Sequence, residues 1–260
     1  MKRRNFVAGA AVVAPLHASL QTDRAQPSII ELRYYRLRNG ADTQRQRLSE
    51  MISKQYLPAH TRAGGGACGA FTVSVGEGTP QLLVVSGFKS LSDMEHVKAK
   101  HLADAGYIKA AESFYSQPGL PYVRMEVQIL RAFEGFPSIE VPQGAGDRPP
   151  RLFELRTYES NTPLTLRKKI KMFEDGEIEI FRKAGLQPVF FGQTLIGPRM
   201  PNLTYMVAFD DLAAREKNWR AFGTSAEWKK LSSTPGLSDG EIVSNISNSL
   251  LSPIAGSPIR

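Results

Sequence analysis

The sequence predicts an α+β protein in which two tandem ferredoxin-like halves pair within one chain as a dimeric α+β barrel. Three observations support this fold class. Motifs of the first half recur in the second half in the same order. Each half shows the order strand, helix, strand, strand, helix, strand. A four-stranded sheet with two helices on one face leaves its other face apolar, so each half needs a partner sheet, and the other half can supply it.

The internal repeat consists of five collinear matches, and the spacing between copies drifts only slightly, as differences in loop length would produce. The matched segments are Glu31-Leu32-Arg33-Tyr34-Tyr35 with Glu154-Leu155-Arg156-Thr157-Tyr158, Arg62-Ala63-Gly64 with Lys183-Ala184-Gly185, 76–82 with 197–203, Phe88 and Leu91 with Phe209 and Leu212, and Pro118-Gly119-Leu120 with Pro235-Gly236-Leu237.

The opening strand of the first half alternates, so Glu31, Arg33 and Tyr35 share one face while Leu32 and Tyr34 share the other. The next predicted element is a helix, whose apolar positions are Leu48, Met51, Ile52 and Leu57.

In the second half, Thr162 is expected to cap a helix that begins at Pro163 and is ended by Gly185. Its apolar positions at helical spacing are Leu166, Ile170, Phe173, Ile180 and Ala184. The elements predicted after it are strands from Val189 to Ile196 and from Leu203 to Phe209, a helix opened by Asp210 or Asp211 and running through Trp219 and Phe222, and a last strand from Ile242 to Leu250.

Composition limits the classes of function. The only cysteine, Cys68, excludes an intramolecular disulfide, and four histidines with one thiol do not make a Cys/His zinc cluster. The formal net charge is +8, but three of these charges lie at the N-terminus. The remaining basic run, 167–171, is interpreted as the solvated face of a helix. It lacks interleaved aromatic residues, so no nucleic-acid partner is predicted.

The N-terminus is predicted to be a signal peptide, residues 1–27. The basic start is followed by an apolar run from Phe6 to Leu16 that is too short to span a bilayer, so no stable membrane anchor is expected. Arg3-Arg4 resembles a twin-arginine export signal, which predicts a periplasmic or secreted protein. The alternatives are an ordinary secretory signal or an uncleaved basic tail.

The predicted domains follow from the repeat. They are a first, more divergent copy at 28–133, a linker at 134–150 that is rich in proline and glycine, and a second copy at 151–252.

The second copy resembles the NIPSNAP family over 151–251. The resemblance rests on Glu154-Leu155-Arg156-Thr157-Tyr158, on Phe209 followed by the helix of Trp219, and on Pro235-Gly236-Leu237. It implies the dimeric α+β barrel fold and the pairing of two halves, but no reaction. Related barrels include cofactor-independent monooxygenases and haem-degrading enzymes, so the resemblance implies a pocket for a small molecule.

Arg33 and Tyr35, with Arg156 and Tyr158, are the predicted ligand-binding residues. A guanidinium and a phenol on one strand face could hold a carboxylate or a phenolic ligand inside the barrel. The alternative is that Glu31 to Arg33 and Glu154 to Arg156 form cross-strand ion pairs and so serve the fold that both copies share.

Glu177 and His60 are the catalytic candidates. Glu177 is placed on the sheet-facing side of an apolar helix, where its pKa would be raised, as a proton-transfer role needs. The alternative is that Gly176 lets the helix shift so that Glu177 reaches solvent. His60 lies near the end of the equivalent helix in the first copy. No metal site and no cofactor are predicted, because the chain lacks a phosphate-binding fingerprint and a metal-binding helix.

Three functions remain open: a small-molecule-binding protein, a cofactor-independent monooxygenase or isomerase, and a structural scaffold. A homo-oligomer is also compatible with the sequence. A cavity open to solvent near Arg156 and Glu177 would favour the first two, whereas a filled interior would favour the scaffold.

Overall fold

The structure of the protein is a computed structural model that describes residues 26–40, 43–144 and 149–260. The predicted signal peptide, 1–27, therefore lies almost entirely outside the described residues. Within those ranges, no helix combines the length and the apolar character that crossing a bilayer requires.

The described ranges contain eight strands and nine helices. The strands are β1 (Ile29–Arg36), β2 (Cys68–Val75), β3 (Gln81–Phe88), β4 (Arg124–Ala132), β5 (Leu152–Glu159), β6 (Gln187–Ile196), β7 (Asn202–Phe209) and β8 (Asn245–Pro253). The helices are α1 (Gln44–Met51), α2 (Leu57–Arg62), α3 (Leu91–Ala103), α4 (Ala105–Tyr115), α5 (Pro163–Met172), α6 (Ile178–Lys183), α7 (Leu212–Thr224), α8 (Ala226–Ser232) and α9 (Asp239–Ile242). A π-helical turn joins α1 to α2 (Ile52–Tyr56), and another joins α5 to α6 (Phe173–Glu177).

The strands form one closed barrel in the order β1-β3-β2-β8-β5-β7-β6-β4. Each half contributes four strands, and the halves join through the pairs β2–β8 and β4–β6. Every pair is antiparallel, so β1 and β5 run in the same direction and the halves are related by a pseudo-twofold axis along the barrel. This architecture confirms the predicted fold class.

The pseudo-symmetry gives many residues of one half a counterpart in the other, where matching elements have equal lengths. The two π-helical turns are both five residues long, so Tyr56 at the end of the first corresponds to Glu177 at the end of the second. Helices α2 and α6 are both six residues long, so His60 corresponds to Phe181. Likewise α3 and α7 are both 13 residues long, so His101 corresponds to Phe222.

Local sequence accounts for the helix ends of the second half. The Thr162 side chain accepts a hydrogen bond from the backbone N–H of Thr165 in a capping box, and Pro163 occupies the first helical position. Gly185, with φ of +88°, ends the helix in the left-handed conformation that glycine adopts without strain. Asp211 caps α7. The last strand begins later than predicted, because Ile242 ends the short helix α9 and β8 starts at Asn245.

The inside of the barrel is an apolar core shared by both halves. It includes Leu32 and Leu130 from the first half with Phe153 and Met206 from the second. On β1 the side chains that alternate with Leu32 face the helices instead. A single strand therefore contributes to two separate cores, one inside the barrel and one beneath the helices of its own half.

One end of the barrel is closed by two segments outside the strands. Ile139, from the segment after β4, packs against the barrel core. Ile259, near the C-terminus, is fully buried in the same core, and the Ser257 hydroxyl accepts a hydrogen bond from the backbone N–H of Ala70 at 3.0 Å. The tail that supplies Ile259 lies beyond residue 252, where the second domain was predicted to end.

Candidate functional site

A cavity of about 590 Å³ occupies the opposite, open end of the barrel. Strands β1 and β5 end here, and the β2–β3 and β6–β7 hairpins rise around it. Its lining comes from both halves and consists of Tyr34, Arg36, Val73, Glu77, Gln81, Glu126, Val127, Gln128, Leu155, Thr157, Gly197, Pro198, Arg199, Ser247, Asn248 and Ser249.

The deep wall of the cavity is part apolar and part hydrogen-bonding. Val73 and Leu155 belong to the barrel core and supply the apolar surface. The buried amide of Gln128 donates to the hydroxyl oxygens of Thr194 at 2.7 Å and Thr204 at 3.3 Å. The amide N–H donors of Gln128 are therefore satisfied within the wall.

The rim of the cavity carries two arginines, one from each half. Arg36 at the end of β1 donates from Nε to Glu126 Oε2 at 3.0 Å. Arg199, in the β6–β7 hairpin, forms an ion pair with Glu77 in the β2–β3 hairpin. It also donates from Nη1 to Ser247 Oγ at 3.1 Å. The Glu77–Arg199 pair therefore links the two halves across the opening.

Tyr34 lies between the apolar wall and the charged rim. Burial raises the pKa of its phenol above the ordinary value, while the nearby guanidiniums of Arg199 and Arg36 oppose that rise. The phenol is therefore neutral at physiological pH, and it can both donate and accept a hydrogen bond with a molecule in the cavity.

The four predicted ligand-binding residues lie outside the barrel. Tyr35 packs with the helices of the first half and Tyr158 with those of the second, and Arg33 and Arg156 share those outer faces. The expectation that these side chains line the interior is therefore wrong. Strand alternation separates two faces, but it does not tell which face closes against the partner sheet.

Both of these arginines form ion pairs along their own strands. Arg33 pairs with Glu31, and Arg156 Nη1 lies 2.9 Å from Glu154 Oε1. The residues of the alternative interpretation are thus paired, but within one strand rather than across strands. In each arginine the buried Nε has no hydrogen-bond partner among the described residues. A ligand role for these arginines stays a prediction.

Glu177 is buried beneath the helices of the second half, so the interpretation in which it reaches solvent is wrong. Its Oε2 lies 3.1 Å from Nζ of Lys169, a residue assigned from the sequence to a solvated helix face and in fact fully buried. Burial raises the pKa of Glu177 to about 7, and the Lys169 ammonium opposes that rise. Gly176 adopts a φ of 175°, an extended value within the π-helical turn.

His60 is fully buried in the first half. Its ring packs edge-on against Phe88 at 5.1 Å and against His101 at 5.9 Å between centroids. Burial lowers the pKa of His60, and it lowers the pKa of His101 to about 4 with help from His60 and Arg33. No group of three potential metal ligands occurs within the described ranges.

Glu177 lies within electrostatic reach of Arg156, and its partner Lys169 has its Nζ 5.4 Å from the centroid of the Tyr158 ring, but the cavity is elsewhere. The cavity lies on the inner side of β5, at Thr157, rather than beside Arg156 and Glu177. The predicted site therefore did not include Tyr34, Gln128 and Arg199, which line the cavity. The available signal was the alternation on β1, which sets Tyr34 on the face opposite Arg33 and Tyr35.

The profile of the NIPSNAP family matches the chain twice, over residues 30–135 and 153–258. A proposed monooxygenase from Fusobacterium nucleatum subsp. nucleatum has a similar structure, with 8% identity, a TM-score of 0.59, and coverage of 88% of this chain and 93% of that chain. A proposed monooxygenase from Lactobacillus acidophilus gives 10% identity, a TM-score of 0.57, and coverage of 89% and 98%. A NIPSNAP family protein of unknown function from Agrobacterium tumefaciens is 21% identical, with a TM-score of 0.38 and coverage of 42% and 94%. A comparison with curated proteins gives no match.

Proposed function

Because the chain belongs to the NIPSNAP family, with both copies of the domain in one barrel, we propose that it binds a small organic molecule in the cavity at the open end. The observation that carries this proposal is the cavity itself. Its volume of about 590 Å³ falls in the range of roughly 300–1,000 Å³ that is usual for ligand pockets. A scaffold would have a filled interior instead.

The shape of the barrel supports the same proposal. Ile139 and Ile259 pack into the far end, so among the described residues the rim is the side from which a molecule can enter. Inside, it meets apolar surface from Val73 and Leu155 and a few polar groups, among them the Tyr34 phenol. Apolar surface with a few placed polar groups is the composition that gives a small-molecule site both affinity and orientation.

The binding proposal predicts a ligand that copurifies with the protein. The mass of the native protein, produced in a bacterial host from the full sequence including residues 1–27, is compared with the denatured mass. An extra mass that is lost on denaturation supports the proposal. Thr157→Trp fills the cavity from β5 and should abolish the extra mass, whereas Ser252→Trp adds the same side chain at an exposed position of β8 and should not.

Loss of the extra mass in both variants, or in neither, would contradict the cavity as the place where the ligand binds. Absence of any extra mass, together with failure of a small-molecule library to raise the melting temperature of the wild type, contradicts the binding function itself.

We also propose that the protein is exported by its N-terminal segment to the periplasm or beyond the cell. The support is the basic start, the paired arginines and the short apolar run. Replacement of Arg3 and Arg4 by lysine should retain the protein in the cytoplasm during cell fractionation. If the variant is still exported, the segment is an ordinary secretory signal rather than a twin-arginine signal. If the wild-type protein is found in the cytoplasm, the export proposal is contradicted.

A cofactor-independent monooxygenase or isomerase is the second candidate. It is favoured by the shared fold with two proposed monooxygenases over nearly the whole chain and by the neutral Tyr34 phenol, which could exchange a proton with a molecule in the cavity. Turnover or oxygen uptake with the copurified ligand, lost in Tyr34→Phe while the ligand still binds, would support it. Binding without turnover would leave the binding function alone.

A further inference from the structure

The rim of the cavity differs between the halves at one pseudo-symmetric position. Gly78 in the β2–β3 hairpin and Arg199 in the β6–β7 hairpin both adopt left-handed backbone conformations, with φ of +73° and +59°. Glycine adopts this region freely, whereas a residue with a long side chain does so at a cost of about 1 kcal/mol. Arg199 is the only non-glycine residue with positive φ in the described ranges. Strain of this kind gathers at functional positions.

Glycine at position 78 leaves room for the guanidinium of Arg36, the other arginine of the rim. A Cβ atom on Gly78 would lie 0.8 Å from Nη1 of Arg36, so the guanidinium occupies the space that a side chain at this position would take. The same Nη1 donates to the backbone oxygen of Glu77 at 3.4 Å. Glycine in one hairpin and arginine in the other thus place two guanidiniums over one opening.

Each of the two guanidiniums keeps N–H groups that are not used in hydrogen bonds within the described part of the protein. Arg36 donates from Nε and Nη1, and Arg199 from Nη1 and Nη2. Nη2 of Arg36 and Nε of Arg199 form no hydrogen bond with any described residue. The side chains of Glu77 and Glu126 are 69% and 43% exposed, against 37% and 28% for the arginines they bind, so the carboxylate is the better hydrated member of each pair. All four side chains line the cavity, and water screens the two guanidiniums less than it screens the two carboxylates.

We propose that the ligand of this cavity is an organic monocarboxylic acid, bound with its carboxylate between Arg36 and Arg199 and its apolar body against Val73, Leu155 and the Tyr34 ring. A carboxylate matches the remaining N–H donors of two guanidiniums and the phenol O–H. The rim as a whole carries two positive and two negative side chains, so it favours a monoanion over a phosphate dianion. The inference rests on the proposed function and specifies the ligand class.

The test compares acids with their uncharged isosteres. Benzoate and benzamide, and hexanoate and hexanamide, are titrated by calorimetry into the wild-type protein after removal of any copurified ligand. Each acid should bind about tenfold or more tightly than its amide. In Arg199→Gly, which installs the residue of the other half, acid affinity should fall about tenfold while amide affinity stays unchanged. Arg199→Asn, which also tolerates the left-handed conformation, guards against a folding effect.

Arg167→Gln is the matched control, because Arg167 is exposed on α5 and its loss removes the same charge far from the rim. It should leave the preference for the acids intact. Amides that bind as well as acids, or an acid preference that survives Arg199→Gly and Arg199→Asn, overturns the inference. Failure of every acid to bind the wild type also overturns it. The proposed function is judged separately, by the copurified mass and by its sensitivity to Thr157→Trp.

Discussion

Lys169 and Glu177 form an ion pair that is shut off from solvent, with side-chain exposures of 0% and 2%. The ammonium also lies 3.3 Å from Oδ1 of Asp239, which is half exposed. In the first half the corresponding positions hold Leu48 and Tyr56, both buried. The fold therefore does not require charges here, and the pair is a feature of the second half alone.

Removing one partner of this pair should destabilise the protein more than removing both. Lys169→Leu leaves the buried Glu177 without its cation, and Glu177→Leu leaves the buried Lys169 with only the half-exposed Asp239. Each single substitution should lower the free energy of unfolding by about 3 kcal/mol. The double variant should recover most of that loss, because the positions become apolar as Leu48 is. Urea unfolding of the four proteins gives the coupling free energy.

Lys171→Leu is the control for this cycle, since Lys171 pairs with Asp175 at the exposed surface of the same helix, and its loss should leave stability unchanged. Strictly additive losses in the double variant would contradict the coupling.

The buried histidines should make stability depend on pH. The pKa of His101 is lowered to about 4 and that of His60 is also lowered, chiefly by burial, while Glu31 opposes both shifts and Arg33 adds to them. The unfolded chain then binds more protons than the folded one, so stability is complete above about pH 6.5 and falls as the pH drops towards 4. From pH 7 to 5, His101 alone should account for about 2 kcal/mol.

The double variant His60→Phe/His101→Phe tests this dependence with residues that the second half already uses. There, Phe181 and Phe222 pack at 4.8 Å between ring centroids. The loss of unfolding free energy between pH 7 and 5 should be smaller in the variant than in the wild type by about 2 kcal/mol. Glu177, whose raised pKa acts in the opposite direction, is present in both proteins and cancels in the comparison. Equal losses in the two proteins would refute the assignment to the histidines.

Glu154 should contribute far more to stability than a glutamate in an exposed ion pair does. Its carboxylate accepts hydrogen bonds from Arg156, from Arg215 at 2.7 Å, from Trp219 Nε1 at 2.8 Å and from Asn248 at 3.1 Å. Glu154→Gln removes the charge that all of these donors share and should lower the free energy of unfolding by about 3 kcal/mol. It should also shift the fluorescence of Trp219.

Glu140→Gln provides the control for Glu154, because the Glu140–Arg182 pair is exposed on both sides. Its effect on unfolding should be small. Similar losses for the two substitutions would show that the buried network contributes no more than a surface ion pair.

The C-terminal tail should contribute to the free energy of unfolding, because it packs into the barrel core. Ile259 is fully buried there, and a Cβ atom on Gly69 would lie 2.8 Å from its Cβ. Ile259→Ala should lower the free energy of unfolding by about 2–4 kcal/mol, since it opens a cavity in a packed core. Ile246→Ala, at a position 39% exposed on β8, should have a much smaller effect. Equal effects in chemical unfolding would place the tail outside the cooperative core.

Much of the fold could be predicted because its signals are local and repeated. The cap at Thr162, the left-handed Gly185 and the hairpin between β6 and β7 follow from residues close in sequence. The repeat then implies that the two sheets pair. Lys169 shows where such reasoning fails. A lysine within a basic run is expected to be solvated, but the fold brings onto it a carboxylate from the π-helical turn, eight residues later, and another from α9.

The sequence by itself determined the repeated module, the order of its elements and the need of each sheet for a partner, because the period of hydrophobic residues and the capping residues act over a few positions. Only the tertiary structure decided which face of β1 is interior and that Tyr34 and Arg199 meet at one opening. Alternation along a strand is the same for both faces, and the choice between them is made by long-range packing of two sheets that lie far apart in the chain.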